Sequence, residues 1–271
     1  MKTRIISGAV GVILLIITLI FRATIMLDIV IGLIALIATY EILNTTKTGS
    51  QIPFMVVSMI FTVLSVFSVR SEFGITYNVL AIIYSILFCC YVLYTFEKVR
   101  MTVLFTAYTL IMFVSFAFSS LIAIIDHPHG MFYFILIAFC AWGSDTGAYF
   151  VGCAIGKHKL APVLSPKKTI EGLVGGIVSN LVLSTLFALI YSLSVESVES
   201  VSYLLVILVA VLGSLVSVVG DLFASAIKRY YKIKDYGNIM PGHGGVLDRF
   251  DSMLMVTAYM VMIMQVFTLV R

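Results

Sequence analysis

The sequence predicts an all-α integral membrane protein, a polytopic bundle of about nine transmembrane helices with its N-terminus inside and its C-terminus outside. Three observations predict it. The 271 residues are 61% hydrophobic and only 11% charged, against about 45–50% and about 25% in ordinary globular chains, and a soluble chain of this size has no interior to hold that surplus. Apolar runs of about 20 residues, the length that crosses a bilayer, recur throughout, without the period-two alternation of a membrane barrel. Lysine and arginine are sorted between alternate loops. The same composition excludes a disordered, disulfide-rich secreted or collagen-like chain.

A short basic end (Lys2, Arg4) precedes the first apolar run, 5–21, which is too long for a signal-peptide core and lacks a small-residue cleavage site, so it reads as a retained helix. Further spans fall at about 23–40, 52–69, 75–95, 102–125, 131–153, 172–193, 201–221 and 252–270. Helices are required because backbone polar groups in lipid must be satisfied within the segment. With the N-terminus inside, fourteen of the seventeen lysines and arginines lie on the inner side and only Arg22, Arg70 and Arg271 on the outer, which supports both the count and the direction. Residues 1–130 hold five spans with short loops. Residues 131–271 carry two longer cytoplasmic connections, 154–171 and 222–251, and read as the catalytic region. The four cysteines, Cys89, Cys90, Cys140 and Cys153, sit in apolar stretches without metal spacing and read as small apolar residues.

Polar residues in such a chain carry the chemistry. Asp145 lies in the sixth span, where a carboxylate costs about 2.5–3.5 kcal/mol if central and therefore marks a functional site. Gly143 and Gly147, then Gly152 and Gly156, form small-xxx-small pairs that admit a neighbouring helix and permit, without requiring, a homodimer. Asp28 stands alone near the outer end of its span. In the first connection, Ser165-Pro166 reads as a helix start, with a capping side chain followed by a ring of helical φ. Lys167 and Lys168 then fall in the first turn, where cations are unfavourable unless an anion binds there, so the segment reads as a phosphate site. In the second connection, Lys228 and Arg229 extend the eighth span into the cytoplasm. A glycine-rich run, Pro241-Gly242-His243-Gly244-Gly245, precedes Asp248-Arg249-Phe250-Asp251. The glycines free backbone N–H groups to surround phosphate oxygens. Asp248 and Asp251, three apart, share one helix face and offer the hard oxygens that Mg²⁺ prefers, with Arg249 rotated away. The pattern points to metal-assisted handling of a polyphosphate at the membrane surface. His243 lacks partners for a zinc site and suits phosphate contact, while His127 and His129 fit a solvated outer turn.

From Ser225 to Asp251 the chain reads SAIKRYYKIKDYGNIMPGHGGVLDRFD, which resembles the signature of the phosphatidate cytidylyltransferase (CDP-diacylglycerol synthase) family. The resemblance extends to Ser144-Asp145 and to the SPKKTIEG segment, with Met240 in place of the family's usual Leu, Ile or Phe. It implies the reaction of CTP with phosphatidate (phosphatidic acid) to give CDP-diacylglycerol and pyrophosphate, with Mg²⁺ and room for a second cation, in phospholipid biosynthesis. It also implies an active site on the cytoplasmic face of the plasma (inner) membrane. The corresponding assignment makes Asp221 and Asp248 primary metal ligands, with Asp251 and Asp145 as further ligands or organisers. Lys167, Lys168, Lys228 and Arg229 contact phosphate. Ser144, Ser165, Ser225, His243, Gly244, Gly245 and Arg249 line the substrate site. A lateral groove ending at the aspartates is expected, since a diacyl substrate enters from lipid. The rival readings are another CTP-dependent lipid enzyme, such as a polyprenol kinase, and a transporter, which would place its polar residues near the midplane within repeated broken helices. Nothing suggests nucleic-acid binding.

Overall fold

The computed structural model describes residues 2–71, 74, 76–196, 198–239 and 244–271, with side chains from residue 8 onward except at 9 and 12. The chain forms two compact units, Met1–Ala123 with Tyr231–Arg249, and Ile124–Tyr230 with Phe250–Arg271. Among the described residues, seven helical segments are long and apolar enough to cross a membrane. They are Ile25–Thr45, Ile52–Arg70, Tyr77–Tyr94, Met101–Asp126, Gly130–Ile155, Ile170–Ser194 and Tyr203–Tyr230. The protein is thus a mainly helical integral membrane protein.

The first unit holds α1 (Lys2–Ile20), α2 (Ile25–Thr45), α3 (Ile52–Phe67), α4 (Tyr77–Tyr94) and most of α5 (Met101–Asp126). Aromatic rings bind α3, α4 and α5: Phe61 stacks on Tyr84 at 4.3 Å between centroids, and Phe88 on Tyr108 at 4.2 Å. Hydroxyls pair across these helices and α2, Thr62 with Thr39 of α2 at 2.9 Å and with Ser115 at 3.1 Å, and Tyr84 with Ser58 at 2.8 Å. Such pairs satisfy polar groups that lipid would leave bare. Asp28 accepts a hydrogen bond from Arg70 at 2.7 Å, and the same guanidinium donates to the carbonyls of Thr24 and Arg22. Asp28 is therefore half of an ion pair that ties the start of α2 to the end of the Ile52–Arg70 segment.

The second unit holds α6 (Gly130–Ala138), a π-helical turn at Phe139–Gly143, α7 (Ser144–Ile155), α8 (Ile170–Ser194), α9 (Tyr203–Tyr230) and most of α10 (Leu247–Val266). Glycines set the approach of α7 to α8. A Cβ at Gly147 would collide with Ser179, one at Gly175 with Val151, and one at Gly176 would lie 2.6 Å from the Ser144 carbonyl oxygen. Gly152 and Gly156 both abut Thr169. Three of the four glycines in the small-xxx-small pairs are thus filled by this chain's own Ser179 and Thr169. Deeper in the unit, the buried Asn180 amide donates to the Ala210 carbonyl and to Ser214, both at 2.8 Å. Cys140 is buried against it, whereas Cys89, Cys90 and Cys153 are exposed; all four are free thiols.

The connection from α7 to α8 corrects the sequence reading. Ser165-Pro166 does not start a helix. Ser165–Thr169 is strand β2, paired antiparallel with β1 (Lys159–Ala161), and α8 begins at Ile170. Thr169 caps that helix, its hydroxyl accepting the Gly172 N–H at 3.1 Å. Serine before proline suits an extended edge as well as an N-cap, because the residue preceding proline is pushed toward β conformation. Lys167 and Lys168 consequently sit on a strand, outside any helix dipole, and alternation sends them to opposite sides: Lys167 is exposed and Lys168 turns inward.

Candidate active site

In the second unit the π turn ends directly before Ser144-Asp145; such turns insert one extra residue and re-aim the side chains after them, often at functional sites. Ser144 is buried, its hydroxyl donating to the Cys140 carbonyl at 2.5 Å, so it serves the turn. Asp145 is the next residue on α7. The Lys168 ammonium, arriving from β2, lies 3.8 Å from Asp145 Oδ1 and pairs directly with Asp221 Oδ2. Asp221 is placed by α9 just after Gly220, where a Cβ would lie 3.0 Å from Met255 and 3.1 Å from the Asp251 carbonyl. That gap lets α10 approach α9. Asp251 then lies in the field of Asp221, Lys228 and Asp145. Three carboxyl groups and two ammoniums thus share this part of the unit. Ser225 is buried one turn beyond Asp221, Lys228 is half-buried, and Arg229 is exposed at the end of α9.

The hairpin is anchored beside this cluster. Glu171 accepts the Lys157 N–H at 3.1 Å and pairs with His158 Nδ1 at 2.6 Å. Ser165 is half-buried on β2. An apolar groove of about 750 Å³ runs along the same unit, lined by Phe139, Trp142, Thr146, Phe150, Val182 and Leu183 among others. Thr146 lines it, and its neighbour Asp145 does not.

The glycine-rich connection belongs to the first unit. Asp248 Oδ2 accepts two backbone N–H groups, from Tyr236 at 2.8 Å and Gly245 at 3.0 Å. Gly244 has φ of +87°, a conformation that side chains disfavour, which turns the chain back toward α10. Arg249 is exposed. His243 lies outside the described residues. The residue that sequence reasoning missed is Glu41. It is buried near the end of α2, with Oε1 accepting the Val246 N–H at 2.9 Å and Oε2 the Leu247 N–H at 2.8 Å.

Residues 2–267 match the cytidylyltransferase family. The chain belongs to that family. Among curated cytidylyltransferases, it is 33% identical over 278 residues to the phosphatidate cytidylyltransferase of Bacillus subtilis (strain 168), an alignment covering 99% of each chain. It is 43% identical to the phosphatidate cytidylyltransferase of Staphylococcus haemolyticus (strain JCSC1435) over 129 residues, 47% of this chain and 46% of the relative. A third such enzyme, from Staphylococcus saprophyticus, is 39% identical over 127 residues, with the same coverage. A cytidylyltransferase brings a nucleoside triphosphate to an anionic acceptor. The unit holding Asp145, Lys168, Asp221, Lys228 and Asp251 has the mixed charge that such chemistry uses.

Among the described residues, no three acidic, histidine or cysteine side chains are grouped closely enough to hold a metal ion by themselves. Mg²⁺ ordinarily takes only one or two carboxylates and fills its shell with water and substrate phosphate. The Asp145–Asp221 pair meets that need: its oxygens already converge on one cation, the Lys168 ammonium. The donor set of this cytidylyltransferase therefore fits Mg²⁺.

Proposed function

We propose that this protein is a phosphatidate cytidylyltransferase, making CDP-diacylglycerol from CTP and phosphatidate. A phosphatidate oxygen attacks the α-phosphorus of CTP; the new P–O bond forms as the bond to the β-phosphate bridging oxygen breaks, and pyrophosphate leaves. The attacking phosphate has a second pKa of about 6, so it needs no strong protein base. The barrier is repulsion between two polyanions, and catalysis here is positioning and charge neutralisation. The observation that carries the reading is Lys168, held between Asp145 and Asp221, in a chain that aligns end to end with an enzyme of that name.

The residues divide the work. Lys168 and Lys228 offset phosphate charge, and Arg229 and Lys167 extend that field to solvent. Asp145 and Asp221 would hold Mg²⁺, with Asp251 organising them. When bound, Mg²⁺ neutralises triphosphate charge and favours departure of pyrophosphate. Gly244 offers its backbone N–H to the nucleotide, Gly245 keeps the connection close-packed, and His243 contacts phosphate. The proposed topology is nine spans, N-in and C-out, with the site on the cytoplasmic face of the plasma membrane.

The test is transfer of α-labelled CTP into lipid by purified protein supplied with phosphatidate. Labelled CDP-lipid and pyrophosphate are expected, with loss of turnover on chelation and recovery on adding Mg²⁺. Release of CDP instead would mean a γ-phosphoryl transfer and would discard the reading.

A further inference from the structure

We propose that Glu41 is a positioning residue for the nucleotide site, acting through the glycine-rich connection; this rests on the reading of that connection as the nucleotide-phosphate pocket. Glu41 is only 2% exposed, and among the described residues no basic side chain pairs with it. Its carboxylate is instead neutralised by backbone, each oxygen taking one N–H, from Val246 and from Leu247. Leu247 opens α10, and the first N–H groups of a helix have no partner within it. A helix usually satisfies them with a serine, threonine or aspartate just before its start. The residue there is Val246, which has no side-chain acceptor, so Glu41 supplies the cap from more than two hundred positions away.

The same carboxylate shapes the loop. A Cβ on Gly237 or on Gly245 would run into the Glu41 carboxylate, so a side chain at either position would displace that carboxylate from its two N–H donors. Gly245 in turn donates to Asp248 Oδ2. Glu41, Gly245, the α10 start and Asp248 thus form one connected unit. Displacing Glu41 shifts the backbone N–H groups and the Asp248 carboxylate together.

The experiment compares full-length wild type with Glu41→Gln, Glu41→Ala, Gly245→Ala and the double variant Glu41→Ala/Gly245→Ala, each purified and reconstituted with phosphatidate. Glu41→Gln keeps the shape but turns an N–H donor toward an N–H. It is expected to lower kcat/KM for CTP about 10–100-fold, the range for residues that orient primary ligands, with KM for phosphatidate unchanged. Gly245→Ala is expected to reproduce that CTP-specific defect. The double variant should lose less than the two single changes combined, because removing the carboxylate opens room for the methyl. Wild-type CTP kinetics in Glu41→Gln would overturn the proposal. If that variant does not fold, normal CTP kinetics in Gly245→Ala would do so. Hydrogen exchange at Val246 and Leu247 separates this from the enzymatic reading. Faster exchange in Glu41→Gln is expected whatever the wild type catalyses, and unchanged exchange overturns the hold on the loop. Absence of CDP-lipid from wild type would instead count against the reading of the site.

Discussion

Lys168 and Lys167 are neighbours in sequence with unequal roles. Lys168 sits between two carboxylates, and Lys167 faces solvent. Lys168→Met is expected to cost at least about 10²-fold in turnover, the scale for removing a group aimed at developing charge, whereas Lys167→Met should cost less than about tenfold and mainly weaken CTP binding at high salt. Removing the ammonium also leaves Asp145 and Asp221 facing each other. Because the cluster is partly exposed, the stability loss should be about 1–3 kcal/mol rather than that of a fully buried pair. Adding Asp221→Asn should restore stability in thermal unfolding but not activity; recovery of both would remove Asp221 from the site. The aspartates stand out in the sequence because charge is scarce in this chain and each one inside a span demands a reason. Glu41 carried the same signal, a carboxylate beside an apolar run, but it falls just past the expected end of its span at residue 40 and so did not count as an intramembrane charge. Its partners are backbone N–H groups, which leave no trace in a sequence.

At the scale of elements, the hairpin between α7 and α8 was not legible, because Ser-Pro is a fair signature of two different local structures. What decides between them is Thr169, which caps α8 while its side chain packs against Gly152, Gly156 and Gly172. Thr169→Ala should destabilise the protein by about 1 kcal/mol, the ordinary value of an N-cap. Gly152→Val should cost about 1–3 kcal/mol by overpacking and should also reduce turnover, since it pushes apart the elements bearing Asp145 and Lys168. Thermal unfolding in detergent, paired with CTP turnover, measures both effects. A Gly152→Val protein of normal stability would contradict the close approach. The long α9 was legible in outline, its basic end continuing the apolar run with no break.

For the whole molecule, the membrane class was legible from composition alone, and basic residues that cluster on alternate connections predict the direction of threading. Single cysteines introduced at Lys47, Lys98 and Lys157 in a chain freed of its own thiols should react with an impermeant reagent only from the cytoplasmic side. Those at Arg70 and Arg271 should react only from outside. A reversed or mixed pattern would refute the N-in, C-out topology. The assignment of Tyr231–Arg249 to the same unit as the N-terminal helices was not legible, because it depends on pairings between distant parts of the chain.

Synthesis order gives the Glu41 contact a temporal side. The carboxylate is made 205 residues before the first N–H that neutralises it. At about 5–20 residues per second, that gap lasts roughly 10–40 s, during which α2 carries a carboxylate that still lacks both of its acquired donors. During that interval the end of α2 has reason to stay near water, and the last large loop to be translated is what draws it in. A ribosome stalled before Val246 would therefore hold a chain whose second helix is seated less deeply than in the finished protein.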